Sequence, residues 1–315
     1  LTQVDPKMVI FVKYDYWFIL LKALLERRVP IYFVSAVVKK GHFLMKWYSG
    51  PFRKILRQVN HFFVQDEFSA KQFDAMGIRQ VTVVGDTRVD RVASLAQNVP
   101  AFPIIQEWVK GHRVFICGST WANDEEIIVP AFRQLLDENW KIIIAPHDVS
   151  PKNVSRLRKI LPASHEVFSS LSIDNQSDRT KLAPANILVV DTIGQLNMLY
   201  QYGTLCYIGG GFNKSGIHNT LEPATFGLPL IFGPNYSKFA EARALVKEGG
   251  AYSIGLWQRK KQVLSLAECR DQLEEVLRKM KEKESLEKAR KVTKSYIEKN
   301  QGATTKILEK IYSAL

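Results

Sequence analysis

Short apolar runs alternate with amphipathic stretches along most of the chain, and this alternation restricts the possible folds more than any other feature. In the first part the runs are Met8–Val12, Ile31–Ser35, His61–Gln65 and Gln80–Val84. Between them Tyr16–Arg28, Phe43–Gln58 and Glu67–Met76 carry helical periodicity, and Gly77 suits a C-cap. Strand, helix and strand in repetition predict parallel sheets joined by right-handed crossovers. Gly85 to Pro103 holds a glycine, two prolines and polar residues, and reads as a connection between domains. A second series then places strands at Val114–Cys117, Lys141–Ala145, Glu166–Ser169, Ile187–Val190, Leu205–Ile208, Leu230–Phe232 and Ala251–Ile254. Helices are expected at Glu125–Glu138, Asn153–Ile160, Ile193–Gln201, Glu222–Phe226 and Lys238–Glu248. That is a complete doubly wound domain, whose ligand site lies at the carboxyl ends of its strands.

Length and composition fit this reading. A chain of 315 residues, 46% hydrophobic and 24% charged, can bury two cores of ordinary size. The net charge of +13 points to an anionic partner, and a phosphorylated substrate or an anionic membrane fits it. Nucleic acid ranks last, because the basic residues are dispersed and no RNA-binding aromatic motif is present. Cys117, Cys206 and Cys269 have no metal-ligand spacing, and the first two sit inside apolar runs, which suggests buried thiols in a reducing compartment. No carboxylate and histidine cluster suggests a metal, and no run of eighteen apolar residues suggests a membrane span.

Candidate ligand groups gather at four predicted strand ends: Gly118-Ser-Thr, Pro146-His-Asp, Asp191-Thr-Ile-Gly, and the glycine-rich turn that starts at Gly209. In that last segment Gly209, Gly210 and Gly211 remove side chains, so that a ligand could touch backbone. Asn219 or Thr220 can cap the helix that follows, and the amides at its start would attract phosphate. Glu222 then projects from the first turn, where a carboxylate suits two adjacent ribose hydroxyls; a solvated first-turn acid is the plainer reading.

The pattern running from Gly209, Gly210, Gly211 and Phe212 through Gly216, His218, Asn219, Leu221, Glu222, Pro223 and Ala224 resembles a donor-site segment. It continues with Gly227, Pro229, Phe232, Gly233, Pro234 and Asn235. The family it resembles is that of the 3-deoxy-D-manno-octulosonic acid (Kdo) transferases, inverting glycosyltransferases of the α/β GT-B class with two Rossmann-like domains and parallel sheets. The resemblance implies a partial acceptor-side domain at residues 1–92 and a nucleotide-sugar donor domain at 93–290. It also implies a C-terminal helix within 291–315 that crosses back to the first domain. The first domain looks incomplete, and Leu1 is not an initiator methionine, so preceding sequence is expected.

The same resemblance implies CMP-Kdo as donor, a lipid A precursor (lipid IVA) as acceptor, and no metal or cofactor. It places the chain at the cytoplasmic face of a bacterial inner membrane, held there peripherally or by a preceding segment. Pro146 and His147 would contact CMP, with His147 standing where the family commonly has arginine. Ile193, Gly194 and Gln195 would meet the nucleotide, as would Gly210, Gly211, Asn219, Thr220, Leu221 and Glu222. Ser119 and Thr120 are candidates for phosphate or the Kdo carboxylate. Arg88 would stabilise the transition-state anion or pair with Asp86 or Asp90. Asp15 keeps a carboxylate on the acceptor side, although Lys13 reverses the charge the family usually has there. The general base has no counterpart in these residues, so the donor half of a site is expected. The alternatives are a GT-B enzyme using a UDP-sugar, such as an N-acetylglucosamine transferase or epimerase, and a nucleotide-binding fragment without catalysis.

Overall fold

The computed structural model describes residues 4–38, 41–162, 164–171, 177–258, 261–262 and 264–313. They form two compact units, residues 1–91 with 300–315, and residues 92–299. In chain order the first unit contains β1 (Val9–Val12), α1 (Phe18–Glu26), β2 (Ile31–Ala36), α2 (Gly50–Leu56), β3 (His61–Val64), α3 (Glu67–Ala75) and β4 (Val81–Val83). The unit boundary falls inside α4 (Thr87–Gln97). The second unit continues with α5 (Pro103–Trp108), β5 (Arg113–Thr120), α6 (Ala122–Asp137), β6 (Trp140–Pro146), α7 (Pro151–Ile160), β7 (His165–Val167), α8 (Ser177–Leu182) and β8 (Ile187–Val189). Then come α9 (Leu196–Leu199), β9 (Leu205–Ile208), α10 (Leu221–Thr225), β10 (Leu230–Phe232), α11 (Ala240–Glu248), β11 (Ala251–Ser253), α12 (Leu266–Lys281) and α13 (Lys283–Asn300). The last helix is α14 (Ala303–Tyr312).

In the first unit β1, β2, β3 and β4 lie side by side in that order, all parallel. Side chains alternate across the sheet, so each face needs its own cover. Phe11, Phe33 and Phe62 stack on one face, over Leu21, Leu24 and Phe73 of the crossover helices. Tyr32 and Phe63 point to the other face, where Ala303, Ile307 and Ile311 of α14 bury them. The chain's last helix is therefore one face of the first core. Asp90 fastens its start: Oδ1 accepts the Gly302 N–H and Oδ2 the Thr304 N–H, both at 2.6 Å.

The second unit is a seven-stranded parallel sheet in the order β11-β10-β9-β5-β6-β8-β7. Its strands are nearly continuous apolar runs, as expected for strands covered on both faces. A buried exception is Lys141 in β6, whose ammonium donates to Ala185 O at 2.9 Å and Asn186 Oδ1 at 3.0 Å, over the Trp108 ring. Burial holds that ammonium below its ordinary range. From β5 the chain moves to β6 on one side and later returns to β9 on the other. The switch point, where such sheets leave a crevice, therefore lies between the ends of β5 and β9.

Several expected elements differ. The stretch expected to connect the domains carries α4, because Val89, Val92 and Ala93 recur on one buried face. Its glycine and prolines fall outside the helix, at Gly85, Pro100 and Pro103. The helix expected over Phe43–Gln58 is two single 3₁₀ turns followed by α2, since Pro51 can open a helix but not sit inside one. The strand expected at Glu166–Ser169 ends at Val167. The returning segment begins at residue 300 rather than 291. Leu286 and Ala289 bury α13 in the second core, and Gly302, at φ +94°, turns the chain before α14.

If α14 completes the first core, Ile307→Ala should cost about 2–5 kcal/mol and Asp90→Ala about 1–2 kcal/mol. Denaturant unfolding checks both, and a loss under about 0.5 kcal/mol in each would separate α14 from that core.

Candidate functional site

At the switch point the glycine turn packs backbone against backbone. A Cβ on Gly209 would stand 2.1 Å from Ser119 O, and one on Gly211 would stand 2.5 Å from Gly233 Cα. Gly210 adopts φ +89°, which disfavours any side chain. All three glycines are buried. The Gly209 N–H donates to Gly118 O and the Gly210 N–H to Asp124 Oδ2, each at 2.9 Å. These two amides thus serve the framework, where the sequence suggested a ligand. Asp124 also accepts the Trp121 N–H on Oδ2 (2.9 Å) and the Tyr207 hydroxyl on Oδ1 (2.8 Å). Burial pushes its carboxyl up to about 6 despite these donors.

The neighbouring groups are committed similarly. Gly118, Ser119 and Thr120 belong to β5 rather than to a turn after it, with Ser119 at φ +54° and a register shift against β6. The Thr120 hydroxyl donates to the buried Glu125 carboxylate at 2.9 Å, and Arg156 pairs with the other oxygen of Glu125. Asp191 does not cap a helix: it accepts the Ser169 N–H (2.9 Å) and hydroxyl (2.5 Å). Helix α9 starts later, at Leu196, leaving Ile193 86% exposed and Gly194 at φ +90° with open space beside it.

Side chains that do reach the strand-end edge come from three places. His147 follows β6, its backbone N–H donating to Thr120 O at 2.8 Å. Trp121 follows β5, and His218 lies in the loop between the glycine turn and α10. The Trp121 Nε1–H donates to His218 Nε2 at 2.9 Å; their rings are 14° from coplanar with centroids 6.3 Å apart, so they lie edge to edge. His147 stacks on both, 4.5 Å from the indole and 4.4 Å from the His218 ring. Trp121 carried no motif that pointed to the site, and its link to His218 spans 97 positions.

Beyond His218, Asn219 rather than Thr220 supplies the cap: its Oδ1 accepts the Leu221 N–H at 3.0 Å, and its Nδ2 donates to Glu222 Oε1 at 2.8 Å. Glu222 is thereby aimed from the first turn of α10, half-exposed, while the side chains of Pro146, Thr220 and Leu221 are buried. Glu222 lines a cavity of about 140 Å³ together with Val92, Leu95, Asn197, Met198 and Phe226. Asn197 Oδ1 and the hydroxyls of Thr192 and Thr220 are buried with no hydrogen-bond partner among the described residues, the kind of atom a ligand or water satisfies.

In the first unit Arg88 binds Asp86: Nε and a terminal nitrogen meet Oδ2 at 2.8 and 2.6 Å, and the Arg88 N–H donates to Oδ1. Asp90 faces the start of α14 instead. Asp15 is exposed, and Lys13 beside it adopts φ +60°. Among the described residues no group of three His, Cys, Asp or Glu side chains could hold a metal ion.

Comparison with known proteins finds similarity to the family that the glycine segment resembles. The family model described as 3-deoxy-D-manno-octulosonic-acid transferase (Kdo transferase) matches residues 1–91. A curated 3-deoxy-D-manno-octulosonic acid transferase of Rickettsia bellii is 28% identical over 206 residues, 65% of this chain and 48% of that protein. One of Aquifex aeolicus is 26% identical over 298 residues, 93% of this chain and 72% of that protein. The chain thus spans about half the length of the rickettsial relatives it matches. A crystal structure of UDP-GlcNAc 2-epimerase from Neisseria meningitidis bound to UDP-GlcNAc superposes with a TM-score of 0.63 at 14% identity, covering 99% of this chain and 78% of that one. The fold is therefore GT-B, two α/β units with parallel sheets, and the resemblance to Kdo transferases extends through both units.

Asp124 supplies a check on this framework. A carboxyl whose folded value is raised binds its proton more tightly in the folded state, so stability falls as pH climbs from about 4 to about 6. The shift corresponds to about 3 kcal/mol at neutral pH. Asp124→Asn should remove that dependence, its unfolding free energy staying level between pH 4 and 7 relative to the parent; an unchanged slope would contradict the burial argument.

Proposed function

We propose that the second unit binds CMP-Kdo and that the chain is the donor-side part of a Kdo transferase, moving Kdo to a lipid A precursor in lipopolysaccharide core biosynthesis. The observation that carries this reading is the aim of Glu222. Asn219 holds its carboxylate at the carboxyl edge of a doubly wound sheet, where two adjacent ribose hydroxyls would be met. His147 stands on the same edge, suited to the single phosphate, and Ile193, Gly194 and Gln195 lie in the loop that follows β8.

In the reaction the acceptor hydroxyl oxygen forms a bond to the anomeric carbon as the bond to the CMP phosphate oxygen breaks, with inversion. Its proton leaves to a carboxylate or imidazole. Positive charge on the sugar and negative charge on the departing phosphate grow together, so fixed donors and cations contribute most by stabilising the phosphate. Arg88, oriented by Asp86, is assigned to that anion, and Asp15 to the acceptor side. With a single phosphate to hold beside the His147 imidazole, this reading includes no metal.

Acceptor and membrane meet the first unit in this reading. Trp17, Ile19 and Trp47 are 64%, 91% and 89% exposed, with Lys22 and Lys46 among them, an apolar and basic surface suited to anionic lipid. Among the described residues no helix is long and apolar enough to cross a membrane.

Because the same fold occurs in a protein bound to UDP-GlcNAc, UDP is the discriminating ligand. In calorimetry with EDTA present, CMP should bind, and Glu222→Ala should weaken it by about tenfold or more, the loss of hydrogen bonds to a charged group. Failure of CMP to bind, or equal affinity for UDP, would sink the donor assignment.

A further inference from the structure

We propose, on the basis of that donor reading, that His147 binds the nucleotide's phosphate as an imidazolium resting on a platform made by Trp121 and His218, so that binding takes up a proton. Trp121 is then a positioning residue, and His147 the group that touches the phosphate.

The geometry assigns the proton. Indole nitrogen only donates, so His218 Nε2 must be the acceptor of the 2.9 Å bond, and His218 carries its hydrogen on Nδ1 as a neutral ring. Protonating His218 would abolish that bond. Burial and the neighbouring His147 both hold His218 below its ordinary range. His147 is exposed, and its backbone N–H donates to Thr120 O at 2.8 Å. Its ring lies 4.5 Å from the indole ring and 27° from parallel, the placement in which an aromatic face attracts a cation. The 4.4 Å spacing to His218 disfavours a second positive charge, so the stack can hold at most one.

The other charges nearby act in the same direction. Asp148, next in the chain, is held below the usual carboxylate range chiefly by the Ser150 N–H, and it senses the charge of His147. Asp124 of α6 faces the backbone of Trp121, with its carboxylate occupied by three donors. A phosphate arriving at the edge adds the negative charge that makes the imidazolium the favoured form.

The test is CMP binding by calorimetry in buffers of different ionisation enthalpy between pH 6.5 and 8, for the parent chain, His147→Gln and Trp121→Leu. Titration of the free ligand's phosphate is common to all three, and the readings at pH 8, where that phosphate is fully ionised, isolate the protein's proton. The parent should take up a fraction of a proton per CMP at pH 7 that His147→Gln does not. Its affinity relative to that variant should grow as pH falls, by at most about tenfold per pH unit for one proton. Trp121→Leu should lose affinity more at pH 6.5 than at pH 8, which a merely structural loss would not do. Ring-carbon resonances of His147 should move toward the imidazolium position on adding CMP at pH 7. If CMP binds with no uptake, or with the same uptake in His147→Gln, the proton linkage is wrong while the donor reading stands. If CMP does not bind at any pH, both fall.

Discussion

The carboxylate of Asp124 is the contact on which the site depends. It lies in the first turn of α6, yet its three donors come from the end of β5, from β9 and from the glycine turn. Withdrawing a carboxylate from water is costly, and three hydrogen bonds offset only part of that, as its raised proton affinity shows. The return is positional. The turn at Gly210 is tied to the helix that starts beside it, and Trp121 is fixed at the same point.

That arrangement alters what the glycines are for. A glycine-rich turn at a strand end suggests amides aimed at phosphate. Here Gly209 and Gly211 let two backbone segments touch, against Ser119 and Gly233, and the amides of Gly209 and Gly210 face inward. What the turn presents is the side chains after it: His218 in plane with Trp121, then Asn219, which aims Glu222. What faces the strand-end edge is therefore imidazole and carboxylate side chains rather than these backbone amides.

The first unit meets a different requirement. Four parallel strands in sequential order leave one face bare, and the chain covers it with a helix from its far end, through Ile307 and Ile311 on Tyr32 and Phe63. Truncation after α13 would expose that face, so the C-terminal residues and the N-terminal sheet form one cooperative body. Cys117, Cys206 and Cys269 are all buried thiols outside any disulfide, with burial pushing those of Cys117 and Cys206 up and leaving these two inert.

The strands of both sheets could be read from sequence because parallel strands are buried on both faces, and a run such as Ile142–Ile144 has no other use in a chain of this composition. The place of Glu222 in the first turn of α10 was legible because a first-turn acid after a glycine segment is a local pattern. Helix α4 was missed because one glycine and two prolines outweighed its buried Val89, Val92 and Ala93. The inward use of the glycine amides, the pairing of Thr120 with Glu125, and the stack of His147 on Trp121 and His218 were decided only by tertiary structure. Propensity and periodicity act over a few residues, whereas these contacts join positions that meet only after the sheet has brought its strand ends to one edge.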